Sequence, residues 1–198
     1  MTRHADAATR RSQITDALLG VVADLGLQRT TLTDVATRAG VSVGMVQRYF
    51  RNKDELLRFG IAHVFERAEQ RVLAIEPARP LRNYVGALMR TVLPLDAERE
   101  RELRFWLNFL HVALTDTETS ATHERATAGL LDGVTRALSA ARQHGELARE
   151  TDPVAEASAL VAFVDGLCLH HALAPAAFPT RSLEEALETY LDRLFLIR

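Results

Sequence analysis

The chain has one cysteine, Cys168, among 198 residues. A lone thiol excludes an intrachain disulfide framework and fits a reducing cytoplasm. Lysine is as scarce, since Lys53 is the only one and every other basic residue is arginine. No apolar run reads as long enough for a membrane span, and the start, MTRHADAATRR, lacks a secretory apolar core, so no membrane partner is expected. The common enzymatic signatures are missing too. There is no G-x-S-x-G elbow, no H-E-x-x-H pair and no glycine loop to cradle phosphates, so neither catalysis nor a cofactor is expected. Strand signals, internal repeats and low-complexity segments are likewise lacking. What remains is helical periodicity throughout, which predicts an all-α chain of about nine helices.

The net charge of −2 argues against a polyanionic partner until its distribution is considered. Residues 1–58 carry nine Lys/Arg against six Asp/Glu, and residues 59–198 carry fifteen against twenty. A basic head on an acidic body can meet nucleic acid while the body stays away from it.

Within that head, Thr31 to Phe50 reads TLTDVATRAGVSVGMVQRYF. Thr31 with Asp34 is a capping-box-like start, and it predicts a helix from Leu32 to Ala39. Gly40 supplies a left-handed residue to end that helix, and Ser42 is a good N-cap for the next. At about 100° per residue, Val46 and Phe50 share one side of the second helix with Val43 close by. Gly44, Gln47, Arg48 and Arg51 lie opposite. Gln47 suits adenine, the arginines suit guanine, and Met45 on the flank suits a thymine methyl. Gly44 costs a mid-helix position about 1 kcal/mol against alanine, so it is expected to serve close backbone approach to a partner.

The pattern AGVSxGxxxxYF followed by the lysine of NKDEL resembles the DNA-binding head of the TetR family of bacterial transcriptional regulators, over about residues 10–60. The resemblance implies that Thr31, Ser42, Tyr49 and Lys53 lie near phosphates and that one face of the third helix reads bases. Val43 joins that set of expected DNA contacts. Many members carry tyrosine where this chain has Gln47, so an amide capable of base readout replaces a phenol there. A preceding helix, with Ile14, Ala17, Leu18, Val21, Val22 and Leu25 in step, is expected from Thr9 and should brace the other two. Residues 1–8 read as a loose arm whose Arg3, with Arg10 and Arg11 just beyond it, is within reach of phosphates.

The expected division is a DNA-binding domain at 1–52 and a ligand-binding and dimerisation domain at 53–198. A long helix from Asn52 or Lys53 to about Ile75 spans roughly 33 Å. The break Glu76-Pro77-Ala78-Arg79-Pro80 follows it. Further helices are expected at Leu81–Leu93, Ala97–Leu114, Thr119–His144, after Asp152-Pro153, and at Ser182–Ile197, where Ser182 and Glu185 form a second capping box. RFWLNFLHVALTDTE also resembles, more loosely, the body of BetI-type regulators.

Phe105, Trp106, Asn108, Phe109 and His111 on the sixth helix, with Asp165 on the eighth, are the expected contacts of a small apolar or aromatic effector. Asn108 and His111 are three apart on one face, where they either serve core hydrogen bonding or point into a cavity. Cys168, His171 and Asp165 offer a competing metal set, but His170 points away from it, and no metal is expected. A helical small-molecule-binding protein without gene control is the other alternative. Helices eight and nine, apolar on more than one side, are expected to pair two subunits. The family resemblance then implies a homodimer on a palindromic operator, repressing transcription until an effector fills the body.

Overall fold

A computed structural model describes the backbone of residues 2–195, with side chains described from residue 9 onward. The described residues form helices α1 Thr2–Leu25, α2 Leu32–Ala39, α3 Val43–Tyr49, α4 Lys53–Leu73, α5 Leu81–Arg90, α6 Ala97–Ala113, α7 Thr117–Gln143, α8 Pro153–Leu173 and α9 Thr180–Leu194, and no strand. Two compact units result, one of Met1–Glu66 with Glu100–Ser120, the other of Arg67–Arg99 with Ala121–Arg198.

In the first unit, α1 buries Ile14, Leu18 and Val22 against Val35 and Ala36 of α2, Val46 of α3 and Leu56 and Ile61 of α4. Phe105 and Phe109 of α6 complete this core, their rings stacked with centroids 6.1 Å apart. Gly60 makes the close approach possible, since a Cβ there would stand 2.7 Å from Phe105 Cζ and 2.9 Å from Leu18 Cδ2. Burying several Leu, Ile and Phe side chains at about 1.5–3 kcal/mol each is what a three-helix head gains from its sixth-helix partner. The packing unit thus reaches beyond residue 52.

The second unit packs α9 against α5 and α8. Leu183, Leu187 and Leu191 give α9 a fully buried stripe. Outside that stripe, Arg82 pairs with Glu188 and Asp192, and Arg90 pairs with Glu188 and Glu184. Asp152 caps α8 by accepting from Val154 N at 3.0 Å, with Pro153 in the first turn.

Some boundaries differ from expectation. The start of α1 is Thr2 rather than Thr9, so the segment expected as a loose arm is helical from residue 2; the side chain of Arg3 lies outside the described residues. The N-cap of α9 is Pro179, and Ser182 Oγ donates to Pro179 O at 2.8 Å inside the first turn, so Ser182 and Glu185 form no capping box. Proline brings its φ ready-made, and this lets the helix start two residues earlier, at Thr180. Ile197 lies outside the described residues. Asp116 accepts from Thr119 N at 2.9 Å and opens α7 two residues ahead of the expected start.

Candidate nucleic-acid interface

The segment Thr31–Phe50 folds as its capping residues dictate. Asp34 N donates to Thr31 Oγ1 at 3.2 Å while Thr31 N donates back to Asp34 Oδ2 at 2.9 Å, a complete capping box. The Thr31 hydroxyl also donates to Asp34 at 2.6 Å. That bond, then the backbone one, holds the Asp34 carboxyl below the ordinary aspartate range. Gly40 closes α2 at φ 66°, in the left-handed region that a Cβ disfavours. Val41 N reaches back to Ala36 O at 3.0 Å, which turns the chain sharply. Ser42 then accepts from Met45 N at 3.2 Å and starts α3. Its hydroxyl hydrogen stays available to an outside acceptor.

Helix α3 sorts its residues by face. Val46 is 0% and Phe50 2% exposed, and Val43 and Tyr49 pack partly against the same core. Met45 is half-buried, while Gly44, Gln47, Arg48 and the following Arg51 are exposed. Among these exposed residues Gly44 is distinctive, because a Cβ there would meet only Ser42 Oγ at 4.0 Å. Nothing in the fold requires glycine at this point. Lys53 is half-buried, and its Nζ donates to Leu27 O at 2.8 Å. Asn52 and Glu55 secure the start of α4 reciprocally, Glu55 N donating to Asn52 Oδ1 at 2.8 Å and Arg51 N to Glu55 Oε2 at 2.7 Å. The spacing N-x-x-E carried that signal, whereas the Arg38–Asp24 pair at 2.5 Å between α2 and α1 had none in the sequence.

The residues expected to meet an effector are put to several uses. Phe105 and Phe109 are packed inside the first unit, 1% and 3% exposed, as part of its core. Asn108 makes core hydrogen bonds. Its Oδ1 accepts from Leu27 N at 3.3 Å and its Nδ2 donates to Arg104 O at 2.8 Å, which satisfies the amide locally. Trp106 packs partly against that core, and His111 is exposed. Asp165 belongs to the second unit, where the protein around its carboxyl raises its pKa and nearby His123 partly offsets the rise. The residue as a whole is nonetheless exposed at the surface of α8. The Cys168 thiol donates to Val92 O at 3.7 Å, and His171 Nδ1, necessarily the protonated nitrogen, donates to Phe178 O at 2.7 Å. Among the described residues no three His, Cys, Asp or Glu side chains converge as metal ligands.

Comparison with known proteins agrees with this geometry. The family described as bacterial regulatory proteins, tetR family, matches residues 14–58, and the one described as BetI-type transcriptional repressor, C-terminal, matches residues 82–196. The chain is 33% identical over 195 residues to the HTH-type transcriptional regulator BetI of Burkholderia thailandensis, covering 96% of this chain and 95% of that protein. It is 30% identical over 178 residues to the HTH-type transcriptional regulator PksA of Bacillus subtilis, covering 88% and 84%. A Rhodococcus transcriptional regulator of known crystal structure superposes with a TM-score of 0.80 at 29% identity, over 93% of this chain and 95% of that one.

Proposed function

We propose, for a chain that belongs to the TetR family of bacterial transcriptional regulators and carries a BetI-type C-terminal region, that it is a repressor gripping a palindromic operator as a homodimer until a small apolar or aromatic effector binds. The observation that carries this reading is the division of α3, with Val46 and Phe50 buried and Gly44, Gln47 and Arg48 exposed on a helix capped at both ends. Side chains that fork toward guanine or adenine edges, left in water by the fold, suit a major groove.

On this reading Gln47, Arg48 and Arg51 take base edges, Met45 and Val43 touch apolar groups, and Gly44 lets the backbone approach. Ser42, Tyr49 and Lys53 hold the flanking phosphates, with Thr31 lying near them as the cap of α2, and these contacts fix register without reading sequence. The DNA-binding domain is residues 1–52 and the effector and dimerisation domain 53–198. Two subunits join through α8 and α9. In support, α8 is long and apolar enough to cross a membrane by length and composition, a test that core helices of soluble proteins also pass, and Val154, Leu169 and Leu173 are exposed in the single chain. A second copy covering them removes that apolar surface from water. The recognition helices of such a dimer sit roughly 34–36 Å apart, or a multiple of that. Asp165 is the proposed polar contact for an effector on α8. An effector releases the operator only by preferring the conformation that cannot bind it. The protein works in the cytoplasm, where its operator is.

The test is selection of duplexes from a random pool by the purified chain, with its mass measured in solution. A palindromic consensus bound by a dimer is expected, and Arg48→Ala should cost about 1–3 kcal/mol while altering base preference. A monomer, or a pool that yields no consensus, overturns the reading.

A further inference from the structure

Helix α1 faces α2 along one stripe. Gln13, Gly20 and Asp24 all meet α2 there: Gln13 Nε2 donates to Ala39 O at 2.8 Å, Gly20 leaves room for the Arg38 guanidinium, and Asp24 pairs with Arg38. The spacing 13, 17, 20, 24 is one helix face. Ala39 is the last residue of α2 and Gly40 turns the chain toward α3, so Gln13 meets α2 at the edge of that turn, and Arg10 lies one step further back on the same stripe. One step is about 4.5 Å of rise. Arg10 is exposed, and its Nη1 donates to Gln13 Oε1 at 2.6 Å. A single amide therefore holds α2 by its nitrogen and Arg10 by its oxygen.

The neighbouring Arg11 is used differently. Its guanidinium lies 6.0 Å from the Phe50 ring centroid and 5.8 Å from that of Phe59, over the aromatic pair behind α3. Of two adjacent arginines, one lies over the aromatic pair and the other is held through Gln13 to the last residue of α2, next to the Gly40 turn.

We infer that Arg10 is a further DNA-backbone contact, a phosphate-binding residue supplied by α1, and that Gln13 is its positioning residue. The inference rests on the proposed docking of α3 in the major groove, which brings the Ser42 turn against the sugar-phosphate chain. A guanidinium held by a neutral amide keeps its full charge and its remaining donors for a phosphate oxygen. Because a phosphate contact releases a counterion, it has a signature that packing does not share.

The experiment measures affinity of the full chain for its selected operator and for a scrambled duplex of equal length across a range of salt concentrations. Arg10→Ala should weaken both duplexes by the same factor and make the plot of log affinity against log salt shallower by about 0.9 for each contact removed. Arg11→Ala should leave that slope unchanged. Gln13→Ala should weaken binding in the wild-type background and cost nothing further in Arg10→Ala, since a positioning residue without its client has no work left. An unaltered slope in Arg10→Ala, or additive losses in the double variant, overturns the inference while leaving the major-groove reading intact. Failure of the wild-type chain to prefer its operator over the scrambled duplex overturns both. A melting temperature of Arg10→Ala within a degree or two of wild type is the expected control, and an Arg10→Ala loss that tracks a lowered melting temperature counts against a phosphate contact.

Discussion

Lys53 Nζ donates to the carbonyl oxygen of Leu27 at 2.8 Å, fastening the first residue of α4 to the connection between α1 and α2. One ammonium carries three donors, so this bond and a phosphate contact can coexist on one side chain. Lys53→Ala should therefore have two effects. Operator and scrambled duplexes weaken alike, and the fold loses about 1.5–3 kcal/mol, the usual worth of a hydrogen bond to a charged group. Anisotropy titrations and urea melts measure both, and a change in base preference would contradict the phosphate role.

Gly44→Ala should separate folding from binding. The added methyl meets open space, so α3 gains about 0.5–1 kcal/mol of stability from lower chain entropy and better helix propensity. Operator affinity is expected to fall by about tenfold, near 1.4 kcal/mol, because the methyl stands between helix backbone and duplex. A stabilised variant with unchanged affinity would show that nothing approaches Gly44 closely.

Gly60→Ala is the opposite case. Its methyl would lie 2.7 Å from the Phe105 ring and 2.9 Å from Leu18 within a packed core. Overpacking of this kind costs about 1–3 kcal/mol, read as a lowered urea midpoint at unchanged slope. Phe105→Leu in the same chain should restore part of the loss, since it withdraws the ring that the new methyl strikes.

Two carboxylates should give pH dependences of opposite sign. The Asp34 pKa is lowered by bonds from Thr31, so its stabilisation is present above the ordinary aspartate value of about 3.9 and disappears as pH falls through the lower folded value. The stability gap between wild type and Asp34→Ala should hold from neutrality to about pH 4 and close below it. The Asp165 pKa is raised, chiefly by the surrounding protein, so its relative stability is present below the ordinary value and lost as pH rises through the folded one. Asp165→Asn should accordingly be the more stable protein at neutral pH and lose that advantage on acidification. Thermal melts from pH 2 to 8 check both.

Much of the head was legible because its signals are local. Thr31 with Asp34, Gly40 at φ 66° and Ser42 with Met45 each act within four residues, so their spacing announces the turn before any packing is known. Exposure of Gln47 and Arg48 followed from the helical period alone. The sixth helix was less readable. Its run of aromatic residues indicated burial, but periodicity could not say against what, and Phe105, Asn108 and Phe109 turned out to serve α1, α4 and the connection after α1. Ser182 misled for a local reason, because Pro179 offered an earlier start and a serine inside a first turn bonds backward as readily as it caps.

By itself, then, the order of residues determined which stretches are helical, where α2 and α3 begin and end, and which side of α3 is left to water, since caps, glycine and a 3.6-residue period act between near neighbours. Only tertiary structure decided that α6 belongs to the core of the head, that Gly60 exists for Phe105, and that Gln13 links Arg10 to the end of α2. The bonds that join separate elements, Gln13 to Ala39 and Asn108 to Leu27, link residues 26 and 81 positions apart, and the partner a side chain finds at such a distance is set by how helices pack.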